Sequence, residues 1–218
     1  MTAPASLPAS AAPASAGNAA PSDTILVLGD SLSAEYGLAR GTGWVALLER
    51  RLAQQHTHWT LVNASISGET SAGGRSRIDA LLQKHRPRVV IIELGGNDAL
   101  RGLDLRGTEA NLDYLAAAAH AIGARVLMIG MMVPPNYGPA YADAFAQIFT
   151  RVAARHQAGL VPFFLERIAD DMRWFQADRI HPGAEAQPLL LDTVWPALAP
   201  MLDEAAAAAT SPTNAQRK

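Results

Sequence analysis

The sequence predicts an α/β fold of three layers, in which helices cover both faces of a five-stranded parallel sheet. Five short runs of β-branched and aliphatic residues have the length and composition of strands buried on both faces. The stretches between these runs carry apolar residues at helical spacing. Because strands that alternate with helices form parallel sheets, the two patterns together predict this fold class. The chain has 218 residues, 49% of them hydrophobic, which suits one domain with a sizeable core.

The predicted strands and helices alternate along the chain. The strands are residues 24–28, 61–64, 89–94, 126–129 and 160–164. Helical spacing joins Val45, Leu48 and Leu52, then Ile78, Leu81 and Leu82, then Leu112, Leu115, Ala116 and Ala119, and it returns in a last helix near 189–202. In such a sheet, ligands bind beyond the carboxyl ends of the strands. Residues that directly follow a strand are therefore the candidates for a functional site.

The two ends of the chain have a different composition from the middle. Residues 2–22 carry no charge, are mostly Ala, Pro, Ser and Gly, and include four prolines. Such a segment buries too little apolar surface to offset its ordering entropy, so we expect 1–22 to be a disordered leader. The domain then covers 23–203, and 204–218 form a polar C-terminal tail that begins at a fraying Ala-rich helix end.

Composition excludes several classes of function. Eighteen Lys and Arg against twenty Asp and Glu give a net charge of −2, which does not favour binding to nucleic acid or to an anionic membrane surface. The chain has no cysteine, so it has no disulfide, no thiolate zinc site and no cysteine nucleophile. The most apolar stretch, near 115–133, is interrupted by His120 and Arg125 well short of a membrane span of about 20 residues.

Ser31 is the first candidate, in the segment Gly-Asp-Ser-Leu-Ser that follows the first strand. We expect the serine at a strand-to-helix turn, with its hydroxyl in the crevice and its own N–H at a helix N-terminus, where negative charge is favoured. This suits a nucleophile, although an ordinary helix-capping serine is the commoner reading of one such junction. The pattern G-x-S-x-G is absent, which disfavours an ordinary α/β-hydrolase.

Two further segments follow the second and third strands. Gly68 can turn its N–H toward a ligand without a side chain in the way, and a phosphate-binding loop is disfavoured because Gly74 stands where its lysine belongs. Asn97, after two glycines, can donate an amide N–H to a developing oxyanion. We assign the neighbouring Asp98 to hydrogen-bonding support. Turn formation alone is the alternative for each of these positions.

Asp178 and His181 lie three residues apart in one C-terminal loop. A carboxylate at this spacing can accept the Nδ1 proton of the histidine and leave Nε2 free to act as a base. A single such pair arises by chance more often than by function. The other histidines sit in predicted helices or polar connections and are interpreted as surface residues: His56, His58, His85, His120 and His156.

The four segments share a position at strand ends, and together they resemble the SGNH, or GDSL, hydrolase superfamily. The resemblance covers about 24–202, with GDSLS at 29–33, Gly68, GGND at 95–98 and DxxH at 178–181. The longer strings LGDSLSAEYGL, NASISGET, ELGGNDALRG, PPNYG and DRIHP are similar to the bacterial thioesterase I, lysophospholipase L1 and arylesterase group. The resemblance implies a flavodoxin-like SGNH hydrolase fold that uses no metal and no organic cofactor.

The resemblance also implies roles for five residues. Ser31 matches the nucleophile, His181 the general base and Asp178 the carboxylate that orients it. The oxyanion hole of the family falls on the backbone N–H groups of Ser31 and Gly68 and on the side chain of Asn97. The implied reaction is hydrolysis of small-molecule substrates: aryl esters, short-to-medium acyl esters, acyl thioesters and lysophospholipids. A monomer in the periplasm or outside the cell is expected, with a cytoplasmic location as the alternative.

Four residues are expected near the acyl group of the substrate. By analogy with the family, these are Leu100, Pro135 and Tyr137, together with Glu35. Glu35 is a departure, because relatives commonly carry a small residue there, often glycine. An acidic side chain in the crevice would oppose an anionic substrate or the forming oxyanion, whereas one that points to solvent would do little.

Two other classes of function stay open. A metal-dependent phosphoesterase also places acidic residues after strands, but its metal-ligating histidines are missing from the motifs. A non-catalytic module that binds lipid or sugar has no need for a nucleophile, a base and oxyanion donors together.

Overall fold

Five parallel strands form the centre of the fold. The computed structural model describes residues 22–56 and 58–210. The strands are β1 (Ser22–Gly29), β2 (Thr60–Asn63), β3 (Pro87–Glu93), β4 (Arg125–Ile129) and β5 (Gly159–Val161). The helices are α1 (Trp44–Gln55), α2 (Ser71–His85), α3 (Gly96–Leu100), α4 (Leu105–Ala121), α5 (Pro139–Arg155) and α6 (Gln187–Thr210), with short 3-10 helices at Pro135–Tyr137, Met172–Trp174 and Ala184–Ala186. The predicted fold class is confirmed.

The strand order β2-β1-β3-β4-β5 decides where the site lies. The chain first steps from β1 to β2 on one side and then crosses to β3 on the other side of β1. Helices after β1 and β3 therefore leave on opposite faces, and a crevice opens between the two strand ends. In register, Leu28 pairs with Ile92 and Gly29 with Glu93. The residues that follow these two strands consequently emerge side by side.

Two apolar cores hold the sheet between its layers of helices. Along β1, Ile25 and Val27 point into the core that α1 and α6 cover, whereas Leu26 and Leu28 point into the core that α2, α4 and α5 cover. All four side chains are fully buried. This alternation follows from the two-residue period of a strand, and each such burial contributes about 1.5–3 kcal/mol.

The structure corrects three details of the sequence prediction. The prediction omits α5, although Phe145, Phe149 and Val152 have helical spacing and are buried. It extends β5 to 164, but the strand ends at Val161, because Pro162 lacks the N–H that another ladder hydrogen bond requires. The prediction that all strands are buried on both faces is wrong for β2 and β5, which lie at the sheet edges and are partly exposed.

The ends of the predicted domain differ slightly from the structure. Strand β1 begins at Ser22, and α6 continues to Thr210 with Ala205 buried, so the segment expected as a tail from 204 begins inside a helix. The rest of the predicted leader, 1–21, and residues 211–218 lie outside the described residues. Among those described, the helices are too short or too polar to cross a membrane.

Candidate active site

Ser31, His181 and Asp178 form a continuous line of hydrogen bonds at the carboxyl end of the sheet. The Ser31 Oγ lies 2.9 Å from the Nε2 of His181. The Nδ1 of His181 lies 2.7 Å from the Oδ2 of Asp178. A carboxylate at Nδ1 requires the imidazole proton on that nitrogen, so neutral His181 presents Nε2 as an acceptor to the Ser31 hydroxyl. The hydroxyl and imidazole are thus 150 positions apart in sequence and in direct contact.

The Asp178 carboxylate is held in its charged form by the loop itself. Its Oδ1 accepts hydrogen bonds of 3.0 Å from the backbone N–H groups of His181 and Ile180. These bonds and the contact with the His181 side chain lower the pKa of Asp178 from 3.8 to about 2. Arg179 adopts a left-handed conformation, with φ of 59°, which folds the loop back on the carboxylate. Asp178 therefore stays ionised over the whole physiological range.

Two glutamines join this loop to the segment between the end of β1 and the first residue of α1. Gln176 donates from its backbone N–H to the His181 carbonyl at 2.8 Å and from its side chain to the Tyr36 carbonyl at 2.8 Å. Gln187 is 1% exposed, and it accepts from the Trp44 N–H at 2.9 Å and donates to the Gly183 carbonyl at 3.1 Å. Sequence reasoning missed both, because a glutamine beside an apolar run carries no signal of a distant partner.

The backbone at Ser31 differs from the expected helix start. The segment 31–38 is a series of turns, with hydrogen bonds from Ala34 N to Asp30 O at 2.9 Å and from Tyr36 N to Ser31 O at 3.2 Å. The first helix begins only at Trp44. The prediction that Ser31 opens a helix is wrong, because Glu35 and Gly37 adopt positive φ angles that end the helical path.

Asn97 follows β3 and contacts Asp30, the residue before Ser31. Gly95, with φ of 110°, turns the chain sharply from β3 into α3. The Nδ2 of Asn97 then donates to the Oδ2 of Asp30 at 2.9 Å, which fixes the plane of the amide. One Nδ2 hydrogen is engaged in this way, and an amide nitrogen carries two.

The neighbouring positions support this arrangement. Asp98 is 2% exposed and accepts from the Ser71 N–H at 2.8 Å, and also from the Thr108 hydroxyl, so its assignment as hydrogen-bonding support is confirmed. Gly68 adopts φ of 77°, a conformation that favours glycine, and its carbonyl accepts from Arg101 Nη2 at 2.8 Å. The second predicted segment is thereby tied to the third.

Glu35 does not carry a free charge into the acyl site, contrary to one of our expectations. Its carboxylate accepts from the N–H of Gly41 at 2.9 Å and from the N–H of Gly43 at 2.7 Å. The side chain thus closes the loop that follows Ser31. The residue also has φ of 60°, a left-handed conformation that favours glycine. On the same loop, the ring of Tyr36 lies 4.4 Å from the ring of His181.

We expect Glu35→Gly to be more stable than Glu35→Ala by about 1 kcal/mol. Both variants lose the two carboxylate contacts, but only alanine keeps a Cβ in a left-handed conformation. Urea-induced unfolding measures the difference. Glu49, exposed within α1, is the matched control, and there alanine is expected to be the more stable by about 1 kcal/mol. Equal stabilities of the two Glu35 variants would contradict the prediction.

Leu100 and Tyr137 come together at one side of the site. The Tyr137 hydroxyl donates to the Leu100 carbonyl at 3.3 Å, and its ring stacks on Tyr141 with centroids 6.0 Å apart. The Leu100 side chain is 44% exposed, which leaves it free to contact a substrate. The backbone of Pro135 begins the short helix that carries Tyr137. Substrate contact by these residues stays a prediction.

Two buried carboxyl groups lie beneath Ser31. Asp30 is 3% exposed and Glu93 is 1% exposed. Burial raises the pKa of Asp30 from 3.8 to about 6. Burial, and then the negative charge of Asp30, raises the pKa of Glu93 well above its usual range. Sequence reasoning did not single out either residue, because Glu93 reads as the polar end of a strand and Asp30 as part of a serine motif.

Comparison with known proteins gives the same assignment as the motifs. The model of the GDSL-like lipase/acylhydrolase family matches residues 27–188. Esterase TesA of Pseudomonas aeruginosa is 51% identical over 183 residues, which cover 84% of this chain and 91% of the relative. The Escherichia coli protein named thioesterase 1/protease 1/lysophospholipase L1 is 41% identical over 185 residues, covering 85% of this chain and 88% of the relative.

A solved structure agrees with the fold as well. The psychrotrophic esterase EstA from Pseudoalteromonas sp., in a crystal form inhibited by monoethylphosphonate, superimposes with a TM-score of 0.79 at 41% identity. The match covers 83% of this chain and 99% of that one. The family match extends from β1 to the start of α6, and therefore over all the segments that form the site. The chain belongs to the GDSL-like lipase/acylhydrolase family.

Proposed function

We propose that this protein hydrolyses carboxylic esters and thioesters through an acyl-enzyme on Ser31. The observation that carries the proposal is the line of contacts from the Ser31 hydroxyl through the His181 imidazole to the Asp178 carboxylate. A nucleophile, a base and an orienting acid within hydrogen-bond distance of one another are the parts that acyl transfer requires.

The reaction proceeds in two halves. The Ser31 Oγ attacks the acyl carbonyl carbon while its proton passes to the Nε2 of His181. As the tetrahedral intermediate collapses, the C–O or C–S bond breaks and His181 returns the proton to the departing alcohol or thiol. Water then attacks the acyl-enzyme, giving its proton to His181, and the carboxylic acid leaves as Ser31 regains its proton. Asp178 stays ionised and stabilises the imidazolium in both halves.

Three donors are assigned to the oxyanion of this intermediate. They are the backbone N–H groups of Ser31 and Gly68 and the Nδ2 hydrogen of Asn97 that does not bond to Asp30. Donors fixed before the reaction act where charge develops, and each such donor typically accounts for about 100- to 1000-fold in kcat. The hydrogen bond of Asn97 to Asp30 and the left-handed turn at Gly68 support this assignment.

The substrates proposed are small molecules with an apolar acyl or aryl group. Tyr36 and Leu100, exposed by 49% and 44%, offer apolar contact beside the site. The names of the relatives support aryl and acyl esters, thioesters and lysophospholipids as substrates. A periplasmic or secreted location and a monomeric state stay predictions, supported by the resemblance and by the composition of the N-terminal segment.

Labelling with a fluorophosphonate tests the proposal. We expect one adduct per chain, located on Ser31 by tandem mass spectrometry, and loss of aryl-ester hydrolysis in proportion to labelling. Ser33 lies two residues away but is 1% exposed, so it serves as an internal control that stays unlabelled. An adduct elsewhere, or full activity after labelling of Ser31, would contradict the proposal.

Treatment with EDTA separates the proposal from the alternative of a metal-dependent phosphoesterase. In residues 22–56 and 58–210, no group of three His, Cys, Asp or Glu side chains is placed to hold a metal ion. Ester hydrolysis is therefore expected to be unaffected by EDTA. Activity lost to EDTA and restored by a divalent cation would favour the alternative.

A further inference from the structure

Asp30 and Glu93 form a buried pair of carboxyl groups that the mechanism above does not use. Residue 93 ends β3 and pairs in register with Gly29, so its side chain lies beside Asp30. The Oε2 of Glu93 accepts from the Asp30 N–H at 3.2 Å and from the Ser33 hydroxyl at 2.8 Å. Besides burial, the negative charge of Asp30 contributes to the raised pKa of Glu93, as expected for two carboxyl groups that are buried side by side.

The donors around the pair show which group is ionised. Asp30 accepts from the Leu32 N–H at 3.0 Å with Oδ1 and from the Asn97 Nδ2 at 2.9 Å with Oδ2. Hydrogen bonds of this kind stabilise a carboxylate. Glu93 has both donors on one oxygen, Oε2, which leaves Oε1 to carry a proton.

Neighbouring charges favour the same distribution. Two ionised carboxylates about 4 Å apart repel by about 4 kcal/mol even at an effective dielectric constant of 20, so a buried pair keeps one proton. The titratable group that faces the pair from the C-terminal loop is His181, and the positive charge that it gains when it takes the Ser31 proton favours a negative charge on Asp30. From α3, Asp98 turns away to Ser71 and Thr108.

We propose that Asp30 and Glu93 share one proton, held by Glu93, so that ionised Asp30 orients the Asn97 amide toward the oxyanion. The proposal rests on the function proposed above. Asp30 and Glu93 are positioning residues, since they act through Asn97 rather than on the substrate. The pKa of Glu93, which burial and the charge of Asp30 raise well above its usual range, agrees with a proton on Glu93.

Substitutions at the two positions test the proposal. Asp30→Asn is expected to lower kcat for an aryl ester by about 100- to 1000-fold with little change in KM, because Asn97 loses its anionic acceptor. Glu93→Leu removes the proton donor and is expected to lower kcat by about 10- to 100-fold. Glu93→Gln keeps a neutral side chain that can donate to Asp30, so it is expected to recover most of that loss.

Infrared spectroscopy observes the proton directly. At neutral pH we expect the C=O band of a protonated carboxylic acid in the unmodified enzyme and in Asp30→Asn, and its loss in Glu93→Gln. This readout does not depend on activity, and it decides the question even if Asp30→Asn fails to fold. Circular dichroism serves as the folding control for each variant.

The outcomes distinguish this proposal from the proposed function. If the fluorophosphonate does not label Ser31, the function fails. If Ser31 is labelled but the carboxylic acid band is absent, or Glu93→Gln is as slow as Glu93→Leu, the shared proton is refuted. Unchanged kcat in folded Asp30→Asn would refute the positioning of Asn97.

Discussion

Ser31→Ala is expected to lower kcat for an aryl ester by about 10⁶-fold and to abolish labelling by a fluorophosphonate. The substitution removes the oxygen that lies 2.9 Å from His181 Nε2, and with it the nucleophile that forms the acyl-enzyme. The variant is expected to fold normally, because Ser31 is at the surface of the crevice and not in either apolar core. Steady-state hydrolysis and labelling measure the loss.

Two controls make this result specific. Ser76→Ala removes an exposed hydroxyl on α2 that bonds to the Gly73 carbonyl, and it is expected to leave kcat nearly unchanged. The double variant of Ser31 and His181 to alanine is expected to be no slower than Ser31→Ala, because the two groups act as one unit. Additive losses in the double variant, or residual labelling of Ser31→Ala, would contradict the mechanism.

Asp178→Asn is expected to lower kcat by about 10⁴-fold. The amide keeps the shape of the carboxylate, but it donates to Nδ1 when its nitrogen faces the ring. The imidazole proton then moves to Nε2, and His181 can no longer accept the Ser31 proton. Hydrolysis near neutral pH measures the loss, and Asp171→Asn, which alters an aspartate paired with Arg173 in the same region, is the matched control.

The pH dependence of stability gives a second readout for Asp178. Its pKa is lowered in the fold from 3.8 to about 2, so the folded state binds this proton less readily than the unfolded state. The stabilisation that Asp178 contributes is therefore fully present above about pH 4, and it is lost as the pH falls toward about 2. Asp178→Asn is expected to lose less stability than the unmodified protein across this window, and an identical pH profile would contradict the assignment.

The fold class could be predicted because burial of strands and helices requires characteristic patterns of apolar residues in the local sequence. Buried strands such as 24–28 and 89–94 are continuous apolar runs, and helices such as α1 and α4 show their core-facing residues at regular spacing. The same spacing is present in α5, at Phe145, Phe149 and Val152. The pattern was ambiguous at β5, where an apolar run continues past the proline that ends the strand.

The candidate site could be predicted in part, for a related reason. Ser31, Gly68 and Asn97 each follow a strand, and Asp178 and His181 belong to one short loop, so each has a local signal. The parallel sheet then brings the strand ends to one edge. The direction of the Glu35 side chain, in contrast, depends on a loop closure that no sequence pattern describes.

The sequence by itself thus determined the layers of the fold, the family and the residues that meet at the crevice, because strand burial and motif spacing are local properties. Only the tertiary structure decided that Glu35 closes a loop, that Gln187 joins the histidine loop to α1, and that Asp30 and Glu93 form a buried pair. Gln187 contacts Trp44 across 143 positions and Glu93 contacts Asp30 across 63. Contacts of this kind arise from the packing of distant segments, and a glutamine or a glutamate looks the same in sequence whether or not such a partner exists.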